Sequence, residues 1–161
     1  MRRLSILGST GSIGKNTLEV VSAHPDKFQV VALAAGSNIK ALEKQVQMYR
    51  PEVVAVFSEE AAERMKKIGL PVKILAGMDG LVEAATHAET DMVVSAIVGS
   101  DGLLPTYAAI TAGKDIALAT KEALVMAGQI VMAEAAARGV KILPVDSEHS
   151  SVFQCLKEMR A

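Results

Sequence analysis

The chain has 161 residues, half of them apolar but only 3% aromatic, with 17 basic against 18 acidic side chains and a net charge of −1. That length suits one domain, and the charge balance argues against nucleic acid as the main partner. Cys155 is the one cysteine, which excludes an intrachain disulfide and leads us to expect a buried core thiol in a reducing cytoplasm. No apolar run approaches the length of about 20 residues that a bilayer requires, so neither a membrane span nor a membrane partner is expected.

In chain order, short apolar runs alternate with amphipathic stretches. The opening Met1–Leu7 reads as a strand running into a glycine turn, not as a signal peptide. Strands are predicted at Arg3–Leu7, Phe28–Ala34, Val53–Phe57, Val72–Leu75, Met92–Ala96, Asp115–Ala119 and Val140–Val145. In the first helix, Ile13, Thr17, Val20 and Val21 are spaced to fill one face. The segment Glu59–Ile68 pairs Glu60 with Arg64 and Glu63 with Lys67 four residues apart, which predicts a solvated helix face. Gly69, Gly113 and Gly139 each follow a helix and precede a strand, where a left-handed terminating residue belongs. His149–Arg160 reads as a last helix with Val152, Phe153, Leu156 and Met159 along one stripe. No further strand follows to cover that stripe, which points to truncation or to packing against something absent. The alternation predicts a doubly wound, mainly parallel α/β sheet with helices on both faces.

Ligands of such sheets bind beyond the carboxyl ends of the strands. There the chain carries Gly8-Ser9-Thr10-Gly11-Ser12-Ile13-Gly14, then Gly36-Ser37-Asn38, Ala96-Ile97-Val98-Gly99, Thr120-Lys121-Glu122 and Asp146-Ser147-Glu148-His149. Loops on the opposite edge read as plain turns. The first cluster leaves a strand and opens a helix, so its backbone amides and the helix N-terminus suit a phosphate. Its G-x-x-G-x-x-G spacing departs from the commoner G-x-G-x-x-G, but the context makes it a Rossmann-like nucleotide loop. No carboxylate follows the second strand to take a ribose 2′-hydroxyl. Small neutral donors with Lys40 nearby favour NADP over NAD, and Asn38 also suits a helix cap.

Asp146 and Glu148 stand two apart, so in an extended stretch both carboxylates face one way and suit a hard cation such as Mg²⁺ or Mn²⁺. The competing reading has Asp146 or Ser147 capping the final helix with Glu148 in its first turn. Two carboxylates make too few ligands for a tight site. Lys121 and Glu122 interrupt an apolar stretch; they form an ion pair, start a helix, or point toward substrate and cofactor respectively. His149 is either a proton carrier beside the carboxylates or an ordinary first-turn histidine. His24 and His87, near helix ends, read as surface residues.

Together these motifs resemble the 1-deoxy-D-xylulose 5-phosphate reductoisomerase family. The carrying residues are G-S-T-G-S-I-G at Gly8–Gly14, A-G-S-N at Ala35–Asn38, A-I-V-G at Ala96–Gly99, and P-V-D-S-E-H at Pro144–His149. Gly102-Leu103, Pro105-Thr106 and Phe153-Gln154 follow in register, so the resemblance spans the whole chain. It departs at Thr120, where the family has Asn; the hydroxyl remains but the carboxamide is lost. The resemblance implies an NADPH- and divalent-metal-dependent enzyme of the non-mevalonate isoprenoid pathway. Such an enzyme converts 1-deoxy-D-xylulose 5-phosphate, a sugar phosphate, to 2-C-methyl-D-erythritol 4-phosphate. The implied cofactor residues are Gly8, Ser9, Thr10, Gly11, Ser12, Ile13, Gly36, Ser37, Asn38, Ala96, Thr120 and Glu122. Asp146 and Glu148 are the implied metal ligands, Lys121 and Glu148 the catalytic residues, and Lys121, Ser147 and Glu148 the substrate contacts. Family members continue past this point with a catalytic domain, a lid and a helical domain, and are expected to be cytoplasmic homodimers. On that reading residues 1–145 form the NADP-binding domain and 146–161 the start of a truncated catalytic domain. The chain alone is then inactive; if the natural protein ends near Ala161, it is a nucleotide-binding module without turnover. An NADP-dependent semialdehyde dehydrogenase also opens with a glycine loop, but it needs a nucleophilic cysteine, and Cys155 has no base beside it.

Overall fold

A computed structural model describes residues 1–120 and 122–158 of the chain. Seven parallel strands form one sheet: β1 (Arg2–Leu7), β2 (Phe28–Ala35), β3 (Val53–Val56), β4 (Lys73–Ala76), β5 (Met92–Ser95), β6 (Asp115–Leu118) and β7 (Ile142–Pro144). Their spatial order is β4-β3-β2-β1-β5-β6-β7. The order therefore reverses between β1 and β5, and the crevice of an open parallel sheet lies above such a switch point.

The helices divide between the two faces. Helices α1 (Ser12–Ala23), α2 (Ile39–Tyr49) and α3 (Glu59–Lys66) cover one face, where Leu18, Val21, Leu42, Val46 and Met65 meet Ile6, Leu33 and Val54. Helices α4 (Gly77–Ala85), α5 (Leu103–Thr111) and α6 (Glu122–Arg138) cover the other, where Leu81, Ala84, Ile110 and Val131 meet Leu7, Val93 and Ile116. Burial on both faces is why the central strands read as continuous apolar runs instead of alternating. Small side chains such as Ala32, Ala34 and Ala55, all fully buried, let α4 pack closely on the sheet.

Gly69, Gly113 and Gly139 have φ of 75°, 74° and 65°, the left-handed turns expected of them. Some details differ from expectation. The buried stripe of α1 is Gly14, Leu18 and Val21, while Val20 is 52% exposed because it sits about 100° around the helix from Val21. On α3, Glu63 pairs with Lys66, three residues on, at 2.6 Å, and not with Lys67. Helix α6 is kinked at Ala127, whose φ of −143° leaves the helical region.

The last helix, α7 (Ser147–Glu158), meets the domain mainly at β7. Val152 and Phe153 on it are exposed, while the side chain of Leu156 lies outside the described residues. The expectation of a buried thiol for Cys155 is overturned: it is exposed on α7. Met159 and Arg160 fall outside the described residues. Among the described residues no helix is long and apolar enough to cross a membrane.

Candidate functional site

The glycine loop is shaped by what its amides do. Those of Gly8 and Ser9 both donate inward to the Ala34 carbonyl, at 2.9 and 2.8 Å, and that of Gly11 donates to the Gly8 carbonyl at 3.0 Å. Helical bonding in α1 begins only at Lys15, whose amide reaches the Gly11 carbonyl, and no side chain caps the helix. The amides of Thr10, Ser12, Ile13 and Gly14 therefore have no acceptor among the described residues. A cluster of unsatisfied donors at the positive end of a helix is the physical requirement for holding a phosphate.

Two glycines of the loop are sterically required. Gly8 has φ +85°, and a β-carbon there would collide with the Ala96 carbonyl of the β5 loop. A β-carbon on Gly14 would collide with the Gly8 carbonyl and the Ser9 backbone. The loop thus lies flat between the ends of β1 and β5, with α1 drawn against it. Ser9 is fully buried, its hydroxyl donating to Gln45 on α2 at 2.7 Å. Its side chain faces the interior, so any part it has in binding runs through the loop's shape.

Above the switch point is an open cleft of about 270 Å³ lined by Gly11, Ser12, Ile13, Ala96, Val98, Ala119, Thr120, Glu122 and Asp146. It brings together predicted residues from the ends of β1, β5, β6 and β7. Thr120 is 8% exposed and its hydroxyl has no partner among the described residues. A buried hydroxyl left unpaired costs about 1–3 kcal/mol, so its place in the cleft wall suits a ligand that supplies the missing bond. Glu122 opens α6, and Asp146 precedes α7, its carbonyl accepting from the Ser150 amide at 3.0 Å. That places Asp146 at the helix-cap position and in the cleft wall at once.

Gly36, Ser37 and Asn38 lie apart from this cleft, at the end of β2. Asn38 caps α2, its side-chain oxygen accepting from the Ala41 amide at 3.2 Å, and it borders a groove with Lys40 and Lys44. A β-carbon on Gly36 would meet nothing within 4 Å, so this turn is open to solvent. Lys121 lies outside the described residues, as do the side chains of Ser147, Glu148 and His149. Among the described residues no three His, Cys, Asp or Glu come together to hold a metal ion. His24 is exposed as expected, while His87 is half-buried, its Nε2 3.6 Å from the exposed Glu52 carboxylate. The cleft-lining Val98 and Ala119, though within or beside motifs of the binding edge, were given no role of their own, and the buttressing Gln45 was not anticipated. The first two are plain apolar residues, and Gln45 contacts a residue 36 positions away.

The family model for 1-deoxy-D-xylulose 5-phosphate reductoisomerase matches residues 4–128. A protein of that name from Geotalea uraniireducens is 57% identical over 162 residues, covering 99% of this chain and 42% of its own length. A solved 1-deoxy-D-xylulose 5-phosphate reductoisomerase from Zymomonas mobilis, in complex with NADPH, is 40% identical with a TM-score of 0.91; the match covers 96% of this chain and 41% of that one. A second, described as DOX-P reductoisomerase in complex with NADPH, fosmidomycin and magnesium, is 41% identical with a TM-score of 0.92, covering 96% and 39%. The chain thus spans about two fifths of the length of the curated relatives it matches.

Proposed function

The chain belongs to the 1-deoxy-D-xylulose 5-phosphate reductoisomerase family, and from that premise we propose that it is the NADPH-binding part of such an enzyme. The observation that carries this reading is the cleft at the β1/β5 switch point, lined together by Ser12 and Ile13, whose amides are unpaired among the described residues, and by Thr120. The amides of Thr10, Ser12, Ile13 and Gly14 would take the pyrophosphate. Ser37, Asn38 and Lys40 would surround the adenosine ribose, where the lack of a carboxylate admits a 2′-phosphate. Ala96, Thr120 and Glu122 would flank the nicotinamide end. The NADPH complexes of the two solved relatives support the same nucleotide for this chain.

For the whole protein, the proposed reaction rearranges 1-deoxy-D-xylulose 5-phosphate and reduces the product to 2-C-methyl-D-erythritol 4-phosphate, a step toward isoprenoids. Asp146 and Glu148 would supply two carboxylates to a divalent cation, Mg²⁺ or Mn²⁺, whose contribution when bound is Lewis-acid polarisation of the substrate oxygens. Lys121, Ser147 and Glu148 would hold the substrate beside it. The magnesium in solved relatives supports that cation, and the Asp146 position in the cleft wall suits it. Residues 1–145 would form the nucleotide domain and 146–161 the first turns of the catalytic one, in a protein that functions as a cytoplasmic homodimer.

Fluorescence titration tests the nucleotide reading: this chain should bind NADPH at least about tenfold more tightly than NADH, the worth of one good charge-assisted contact. Equal affinities would refute the 2′-phosphate assignment. The chain alone is proposed to bind without turnover, a reading supported by its spanning only about two fifths of the length of its curated relatives. NADPH oxidation by this chain with sugar phosphate and Mg²⁺ or Mn²⁺ would overturn it.

A further inference from the structure

The glycine loop is held from behind by one side chain that the nucleotide itself would not touch. Gln45, in the middle of α2, makes a reciprocal pair with Ser9: the Ser9 hydroxyl donates to its Oε1 at 2.7 Å, and its Nε2 donates to the Ser9 carbonyl at 2.9 Å. Ser9 is completely buried and Gln45 half-buried, so these bonds are partly shielded from water. The amides of Gly8 and Ser9 are pinned on the other side by the Ala34 carbonyl of β2. The loop is therefore clamped between a strand end and a helix, and the clamp turns its remaining amides outward. The same α2 begins at Asn38, beside the turn assigned to the adenosine ribose, and its far end is tied to α1 by the Tyr49 hydroxyl on the Leu18 carbonyl at 3.0 Å.

We propose that Gln45 is a positioning residue for the nucleotide: acting through Ser9, it fixes the loop in its phosphate-accepting shape and locks it to the helix that carries the ribose turn. The inference rests on the NADPH reading above. It goes further in assigning a determinant of cofactor affinity to a side chain outside the cleft. Without the clamp the loop samples other shapes, and binding must first order it, which lowers affinity with no contact to the ligand lost.

The test is Gln45→Leu, which removes both bonds at similar volume, alongside Gln45→Glu, which keeps an acceptor for the Ser9 hydroxyl but loses the donor. Ser9→Ala removes the hydroxyl bond alone and serves if Gln45→Leu does not fold. Two readouts are taken on the 161-residue chain. The first is amide hydrogen exchange without nucleotide, in which Gln45→Leu should speed exchange at Gly8, Ser9 and Gly11 while the β5 and β6 amides keep their protection. The second is binding of NADPH and of 2′-AMP, which lacks the pyrophosphate. Gln45→Leu should weaken NADPH roughly tenfold and leave 2′-AMP unchanged, with the two other variants intermediate. Unchanged loop exchange overturns the proposal, as does an equal loss for both nucleotides, which would mark general damage to the fold. If the unmodified chain binds neither nucleotide, the NADPH reading fails, and the exchange readout alone still decides whether Gln45 orders the loop.

Discussion

At the scale of single residues, the glycines of the binding edge separate into those the fold requires and those it leaves open. Gly14 has no room for a methyl group, because the Gly8 carbonyl and the Ser9 backbone occupy the space. Gly14→Ala should therefore cost about 2–3 kcal/mol, measured by denaturant unfolding, and lower nucleotide affinity with it. Gly36 is different: its φ is ordinary and nothing lies near an added β-carbon. Gly36→Ala should leave the unfolding midpoint within about 0.5 kcal/mol of the parent. A fall in NADPH affinity in that variant then reports on the ligand, not on the fold. Arg50 reverses the case, for it ends α2 in the left-handed region at φ 47°, a conformation that disfavours any side chain. Arg50→Gly should stabilise the protein by roughly 0.5–1 kcal/mol, the relief of strain outweighing the added freedom of the unfolded chain. A midpoint that drops would show that the arginine side chain contributes more than its backbone costs.

At the scale of elements, what was legible followed from burial on both faces. Strands made of Val, Ile, Leu and Ala between glycines were placed within a residue or two, as with Phe28–Ala34 against the observed Phe28–Ala35. The edge strands were the less well placed: β4 is shifted by one residue, and β7 is only three residues long where Val140–Val145 reads as a strand. Edge strands have one hydrogen-bonded neighbour, so pairing, and not composition, decides where they stop. The side of the sheet that carries chemistry was readable because Gly, Asn, Asp and Glu gather after strands. The inward turn of Ser9 was not, since the partner that sets it belongs to another helix. Caps show the same division between fold and function. Ser58 caps α3 by accepting from the Ala61 amide at 3.3 Å, as Asn38 caps α2. Loss of either cap, as Ser58→Ala or Asn38→Ala, should cost about 1 kcal/mol in unfolding experiments. Only Asn38→Ala is expected to weaken NADPH as well, because Ser58 meets the ribose turn only through its backbone amide on the Gly36 carbonyl at 3.1 Å, a bond that Ser58→Ala keeps.

At the scale of the molecule, the two ends of the parallel strands do different work. The carboxyl ends carry the cleft; the amino ends carry ion pairs that tie neighbouring strands together. Asp91 precedes β5 and accepts from both the amide of Arg3 at 2.8 Å and its guanidinium at 3.1 Å, while Glu89 pairs with the same arginine. The Arg3 guanidinium first, and then its backbone amide, hold the Asp91 carboxyl below the usual carboxylate range. A carboxyl depressed in the folded state stabilises above its unfolded value of about 3.9, and the contribution is lost as pH falls through the lower folded value. Asp91→Asn should therefore lower the thermal midpoint at neutral pH by an amount that shrinks in acid and in high salt, since the pair is largely solvent-exposed. Because β5 runs its whole length between Asp91 and Ala96, the same substitution should leave the NADPH dissociation constant unchanged. Measuring the midpoint from neutral pH to about pH 2 alongside NADPH titration tests both halves. A deficit that persists undiminished in acid would mean the carboxylate charge is not what holds β1 to β5. A shifted dissociation constant would mean that the two ends of the sheet are mechanically coupled, and that the glycine loop depends on how β1 begins as well as on how it ends.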